Sequence, residues 1–245
     1  MIGKTSQQMG RITALFLKRL LSGALLFLSY CCYAQTVSPV IVEYKGKAEG
    51  KIALTNNTLA SMAVVLEPRS FSVTPDGNGV YRQLDPGIHV DLSSMSFRIE
   101  PGQTYYVFYK AKADKLPAWF TVYSTFSAVK HTSGLDVRIL LPHTVYIYPK
   151  KPQSKEDAVD VKQAAYFSKA GKIVCDFANN SPDLERVEEI HVSSNSKSMT
   201  AAGFPLLPGG ARHLEIDWKE TEPPDTVVLH MDRSTLKLPL STSDQ

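Results

Sequence analysis

The sequence predicts an all-β protein built as two related sandwiches of unequal size, and three observations carry that expectation. After residue 35 the apolar runs are short, β-branched and aromatic, and Gly, Pro, Asn or Asp separates them. No stretch there keeps a 3.6-residue apolar period. Two features of the first half return in the second half in the same order, as a duplicated unit would leave them.

The chain opens with what reads as an export signal: basic residues ending in Lys18 and Arg19, an apolar run from Leu20 to Cys32, and small Ala34 as the last signal residue. That run is 13 residues long, short of the roughly 20 that a membrane-spanning helix needs. A signal peptide over 1–34, cleaved near Ala34 with no stable membrane insertion afterwards, is expected; the rival reading, suggested by the long stretch before Lys18, is an uncleaved anchor. Cleavage removes Cys31 and Cys32 and leaves Cys175 alone, which excludes an internal disulfide. In its apolar run, KIVCDF, Cys175 is expected to be a buried small hydrophobe.

Strands follow at Val37 to Tyr44, Ile52 to Thr55, Met62 to Val73, Tyr105 to Lys110, Trp119 to Ala128 and Leu135 to Tyr148, each an alternating or β-branched run bounded by turn residues. The duplication shows in KIALTNNT (51–58) against KIVCDFANNS (172–181), and in FRIEPGQTYYVFY (97–109) against FPLLPGGARHLEI (204–216). The second Asn precedes the turn proline by 44 residues in the first copy (Asn57 to Pro101) and by 28 in the second (Asn180 to Pro208). The first unit therefore carries extra material between its early strands. The polar, charged text of 149–163 opens with two prolines and reads as the boundary, giving a first domain at 36–150, a linker at 151–163 and a second domain at 164–245.

The composition, 43% hydrophobic and 21% charged over 245 residues, supplies one large core or two smaller ones and excludes wholesale disorder. Residues 1–34 hold Lys4, Arg11, Lys18 and Arg19 and no acid, so 23 of the 27 basic residues stand against 24 acidic ones in the remainder. A body so close to neutral lacks the basic surplus of a nucleic-acid binder.

The residues offer little chemistry. There is no G-x-S-x-G, H-E-x-x-H, cysteine pair or glycine-rich phosphate loop, so no catalytic residue, metal set or cofactor is assigned. His89, His131, His143, His191, His213 and His230 are scattered without ligand spacing. Pro75 to Gly79 holds oxygen-bearing residues but lacks the alternating acids of a calcium loop, and reads as a turn. Asn56 and Asn179 head N-x-S/T sequons.

The informative segment is LDVRILLPHTVYIY, 135–148. Leu135, Val137, Ile139, Leu141, Val145 and Ile147 share one face with His143. That face either packs into the protein's own core or meets another chain. Pro142, lacking an N–H, belongs on an edge strand or bulge, and an edge strand with an apolar face is a place where a foreign strand adds.

In order, an exported N-terminus, SPVIVEYKG, IALTNN, FSVTP, FRIEPGQ, KLPAWF, a long strand ending VYIYP, then FANNS and FPLLPGG resemble the periplasmic pilus-assembly chaperones of the chaperone–usher type, the PapD-like family, over about residues 36–220. The resemblance implies two immunoglobulin-like domains. It also implies that the last strand of the first domain is lent to an incomplete pilin subunit, bound by main-chain hydrogen bonds and by Leu135, Val137, Ile139, Leu141, Val145 and Ile147, and that the subunit is passed to an outer-membrane usher. No cofactor is implied. The family holds the subunit's C-terminal carboxylate with an Arg in its first strand and a Lys in its lent strand. The matching positions here are Ile41 and Thr144, and residues 35–44 hold no Arg while 131–149 hold no Lys. Arg138 and Lys150 are the cations nearest in sequence. Arg98 falls where the family places an Arg that orients the two domains. The expected function is thus a non-enzymatic periplasmic chaperone for fimbrium biogenesis. The alternatives are an exported two-domain adhesion or pilus structural protein, which accounts better for the missing anchors, and, more distantly, a secreted hydrolase with a dispersed triad.

Overall fold

A computed structural model describes residues 34–128, 138–153, 159–232 and 234–243, and all regular structure there is β-strand. The expected signal segment, apart from Ala34, lies outside the described residues. The first sandwich faces two sheets together. One holds β1 (Thr36–Ser38), β3 (Ala48–Thr55), β8 (Thr104–Ala113) and β6 (Ile88–Leu92), in the order β1-β3-β8-β6. The other runs β2-β10-β9-β4-β5, from β2 (Ile41–Lys45), β10 (Arg138–Tyr148), β9 (Ala118–Ala128), β4 (Met62–Val73) and β5 (Gly79–Gln83), with β7 (Ser96–Ile99) also on β4. Alternation along each strand sends Ile52, Leu54, Val64, Val107, Phe120, Val122 and Phe126 into the space between the sheets, where they are buried. Each such side chain contributes about 1.5–3 kcal/mol relative to exposure.

The second sandwich pairs a β15-β12-β11-β18 sheet, from β11 (Val159–Phe167), β12 (Lys172–Asn179), β15 (Ala211–Asp217) and β18 (Ser241–Ser243), with a β14-β13-β16-β17 sheet. The latter is β13 (Glu185–Ser193), β14 (Ser198–Leu206), β16 (Thr226–Met231) and β17 (Thr235–Pro239). Ile173, Cys175, Ile190, Val192, Val227 and Leu229 form its buried centre. Burial, with a smaller contribution from Asp176, pushes the Cys175 thiol up to about 12, which fits the inert hydrophobe expected of it.

Two parts of the sequence reading change. Val159 to Gln163, read as linker, already belong to β11, because Val159 and Val161 alternate towards the second core. The run from Val37 to Tyr44 is not one strand. It breaks at Pro39, which cannot donate to a ladder. Before the break β1 pairs antiparallel with β3; after it β2 crosses to the other sheet and pairs parallel with β10.

The duplication is visible in atoms. The Asn56 side chain donates to the carbonyls of Ala60 (2.7 Å) and Ile99 (3.1 Å) and accepts from the backbone and hydroxyl of Thr58. Asn179 donates to Asp183 (2.8 Å) and Leu206 (2.9 Å) and accepts from the backbone and hydroxyl of Ser181. The two Pro-Gly turns put Gly102 and Gly209 at φ of +70° and +69°, and each glycine's N–H donates to the carbonyl of its buried Asn.

The sandwiches meet through Phe71 and Tyr146 of the first and Leu184 and Leu207 of the second. Arg186 and Glu43 form an ion pair across the junction at 2.9 Å, and the His213 N–H donates to the Pro75 carbonyl at 2.8 Å. Pro75 sits in the β4–β5 hairpin turn, closed by Thr74 and Asn78, as the turn reading expected. Arg98 is not at this junction. It pairs with Ala63 at the far end of β4 and forms an ion pair with Glu100 at 2.9 Å, whereas the ion pair across the junction is that of Arg186 and Glu43.

Candidate functional site

The switch of the first strand at Pro39 decides how much of β10 is covered. On one side β10 pairs with β9 from Arg138 to Ile147. On the other, β2 reaches only Thr144 to Tyr148. Among the described residues, no strand pairs with Ile139 to Pro142 on that second side. Among the described residues, the last strand of the first sandwich is therefore interior over Thr144–Tyr148 and an edge over Ile139–Pro142.

This division sorts the expected partner-binding residues. Ile139 and Leu141 lie on the uncovered stretch, partly buried against the core. Val145 and Ile147 do not: both are 0% exposed between β9 and β2, and they serve the protein's own core. The physical reason is that β2 completes the sheet over them. Leu135 and Val137 lie outside the described residues. On the opposite face Leu140 is 54% exposed, and its cross-strand row continues through Thr125 to Val65, which is 50% exposed. Edges of natural sheets are usually guarded by charge or proline; here Pro142 closes the open stretch, and apolar side chains flank the rest of the edge on both faces.

The stretch ends in a buried histidine. His143 is 0% exposed, and its Nδ1 lies 2.6 Å from the Pro39 carbonyl oxygen, at the point where the first strand changes sheets. Burial holds its pKa below the usual imidazole value, against an opposing push from the Pro39 carbonyl.

Ile41 and Thr144, the two positions that the resemblance singled out, are cross-strand partners. The row runs on through Thr121 and Arg69 to Gln83, across five strands on one face. The Thr144 and Thr121 hydroxyls are 3.1 Å apart. Arg69 is two strands from Thr144, roughly 9.5 Å between backbones, and pairs with Glu67 at 2.8 Å. It is the cation in this row that sequence reading missed, because register across four strands leaves no local signal. Arg138 is six positions up β10 from Thr144, and Lys150 packs near Gly46 beyond the strand end, so neither stands in the row. Beside the junction a cavity of about 280 Å³ is lined by Glu43, Lys45, Lys150, Asp183 and Arg186 among others.

No family profile matches the sequence, and no curated protein matches it. Solved structures do. The YadV chaperone superposes with a TM-score of 0.53 at 10% identity, over 83% of this chain and 99% of that one. A Salmonella enterica SafB chaperone, solved in complex with the SafA pilin, gives 0.52 at 12% identity over 85% and 97%. The E. coli chaperone DraB gives 0.51 at 11% identity over 85% and 98%. The fold of this chain is therefore the two-sandwich fold of the PapD-like pilus chaperones, at a low level of sequence identity.

Proposed function

We propose that this protein is a periplasmic chaperone for pilus subunits, which lends the edge of β10 to an incomplete subunit and delivers it to an outer-membrane usher. The observation that carries the reading is the stretch Ile139 to Pro142, which no strand covers on one side among the described residues and which has apolar side chains on both faces, in a fold shared with chaperones of that kind. An added strand takes main-chain hydrogen bonds from this edge, and Ile139 and Leu141 give it an apolar inner contact. Such capture needs neither a cofactor nor a reaction.

The test is co-expression of the full chain with pilin subunits encoded near it, followed by affinity purification. The double substitution Ile139→Asp, Leu141→Asp should reduce recovered subunit at least tenfold, since an unpaired carboxylate buried against the guest is strongly disfavoured. Undiminished recovery, or accumulation of the chain in assembled surface fibres, would replace this reading with that of a structural pilus component.

A further inference from the structure

The boundary between exposed and buried chain falls at the end of the expected export signal. Ala34 is exposed, Gln35 is 8% exposed, and the β1–β3 ladder begins at the next residue. Cys32 and Ala34 supply the small residues that a signal-peptide cleavage site takes before the cut. A cut after Ala34 leaves the sandwich whole and makes Gln35 the first residue. The protein loses only the Ala34 carbonyl, to which Asn57 donates a surface hydrogen bond at 2.7 Å, and water replaces it.

The cut also creates an ammonium where the fold offers it no counter-charge. The register of β1 on β3, Thr36 against Thr55, places Gln35 across from Asn56. Around that corner stand Asn57, Thr104, which pairs with Thr55, and Gln103, whose carbonyl takes the Asn56 N–H. None of these carries a charge, and burying an unpaired charge is strongly disfavoured. Glu100, which leads into the Pro-Gly turn of this corner, is already held by Arg98 and Ser61.

We propose that Gln35 closes on itself to pyroglutamate, which gives the exported chain a neutral, blocked first residue. The free α-amine, whose ordinary pKa is about 7.7–8.0, attacks the carbon of the Gln35 side-chain amide. A five-membered lactam forms, the bond from that carbon to the amide nitrogen breaks, and the nitrogen leaves as ammonia with the proton that the amine gives up. No oxidant, reductant or second substrate enters. The product keeps one N–H and both carbonyls of the residue and carries no charge, so residue 35 can stay buried at the head of β1.

The test is intact-mass and tandem mass spectrometry of the full chain, expressed with its own N-terminus and released fresh from the periplasm. The expected species is residues 35–245 less about 17 Da, the mass of ammonia, with the loss located at Gln35. An open Gln35 at the N-terminus, or an ammonia loss located elsewhere, overturns the modification. A chain that keeps residues before Gln35, or starts after it, overturns the modification together with the cut on which it rests, while recovery of subunit by β10 is read separately. Gln35→Asn can close only to a strained four-membered ring and so keeps its amine. In hydrogen exchange its residues 36–38 should lose protection relative to the parent, and equal protection in the two chains overturns the role given to the charge.

Discussion

The buried ring of His143 donates its Nδ1 proton to the carbonyl of Pro39, 2.6 Å away, and so ties the corner where the first strand changes sheets to the point where β10 passes from edge to interior. A carbonyl only accepts, so the bond requires the tautomer protonated at Nδ1. Its Nε2 is buried without a partner.

The pH dependence follows. His143 has a folded pKa below its ordinary 6.5, with burial the main cause, so the unfolded chain takes up a proton that the folded one resists. Its contribution to stability is fully present above 6.5 and is lost as pH falls below that value. His213 has the opposite sign: the hydrogen bonds its ring donates to Asp176 and Glu215 raise its pKa, so its contribution is present in acid and fades as pH rises. Comparing the parent with His143→Gln cancels the His213 effect. Urea unfolding at pH 7.5 and pH 5.5 should show a steeper loss in acid for the parent than for His143→Gln.

The paired asparagines give a second prediction. Asn56 and Asn179 are 0% exposed and their side-chain amides are saturated, so neither sequon can carry a glycan in the folded chain. Mass spectrometry after expression in a glycosylating host should find both unmodified once the chain has folded before transfer. Asn56→Ala strands the carbonyls of Ala60 and Ile99 and should cost about 2–3 kcal/mol in chemical unfolding, a typical penalty for buried polar groups left unpaired. Asn179→Ala should cost a similar amount in the second sandwich.

The split of β10 predicts two classes of substitution along one apolar row. Ile147→Ala opens a cavity in a closed core and should destabilise by about 2–5 kcal/mol. Ile139→Ala, on the partly buried edge, should cost less than half as much in the same urea titration, yet reduce subunit recovery more. Equal stability losses at the two sites would mean that the edge is as closed as the interior.

Why the sequence reading reached some of this and not the rest is a matter of range. Met62–Val73 was legible as a strand to the residue because alternation and turn chemistry are local. Pro142 was legible as an edge signal for the same reason. The strands β5 and β6 were not, since they are short and bury little, and their Gly and Asp neighbours read as loop, whereas β7 was legible as the strand that opens the FRIEPGQ repeat and it buries Ile99. Nor could the row from Leu135 to Ile147 announce its division: its alternation is the same whether the next strand belongs to the protein or to a guest. That depended on Pro39, about a hundred residues earlier. Arg98 was misplaced because a position in a motif says nothing of which end of β4 meets the second sandwich.

The row Ile41, Thr144, Thr121, Arg69 leads to the last prediction. The resemblance expects two cations at Ile41 and Thr144, and the structure makes those two positions direct neighbours, so restoring them creates a paired anion site rather than two scattered charges. A hydrogen bond to a charged group contributes about 1.5–3 kcal/mol, or roughly ten- to a hundredfold in affinity. The double substitution Ile41→Arg, Thr144→Lys should therefore tighten binding of a free-acid peptide by about that factor in isothermal titration, and should do little for the same peptide amidated at its C-terminus. Arg69→Gln should weaken the free-acid peptide by a smaller factor, because Arg69 is two strands away and shares its charge with Glu67. Equal gains for the acid and amide peptides would show that the chain end does not reach this row.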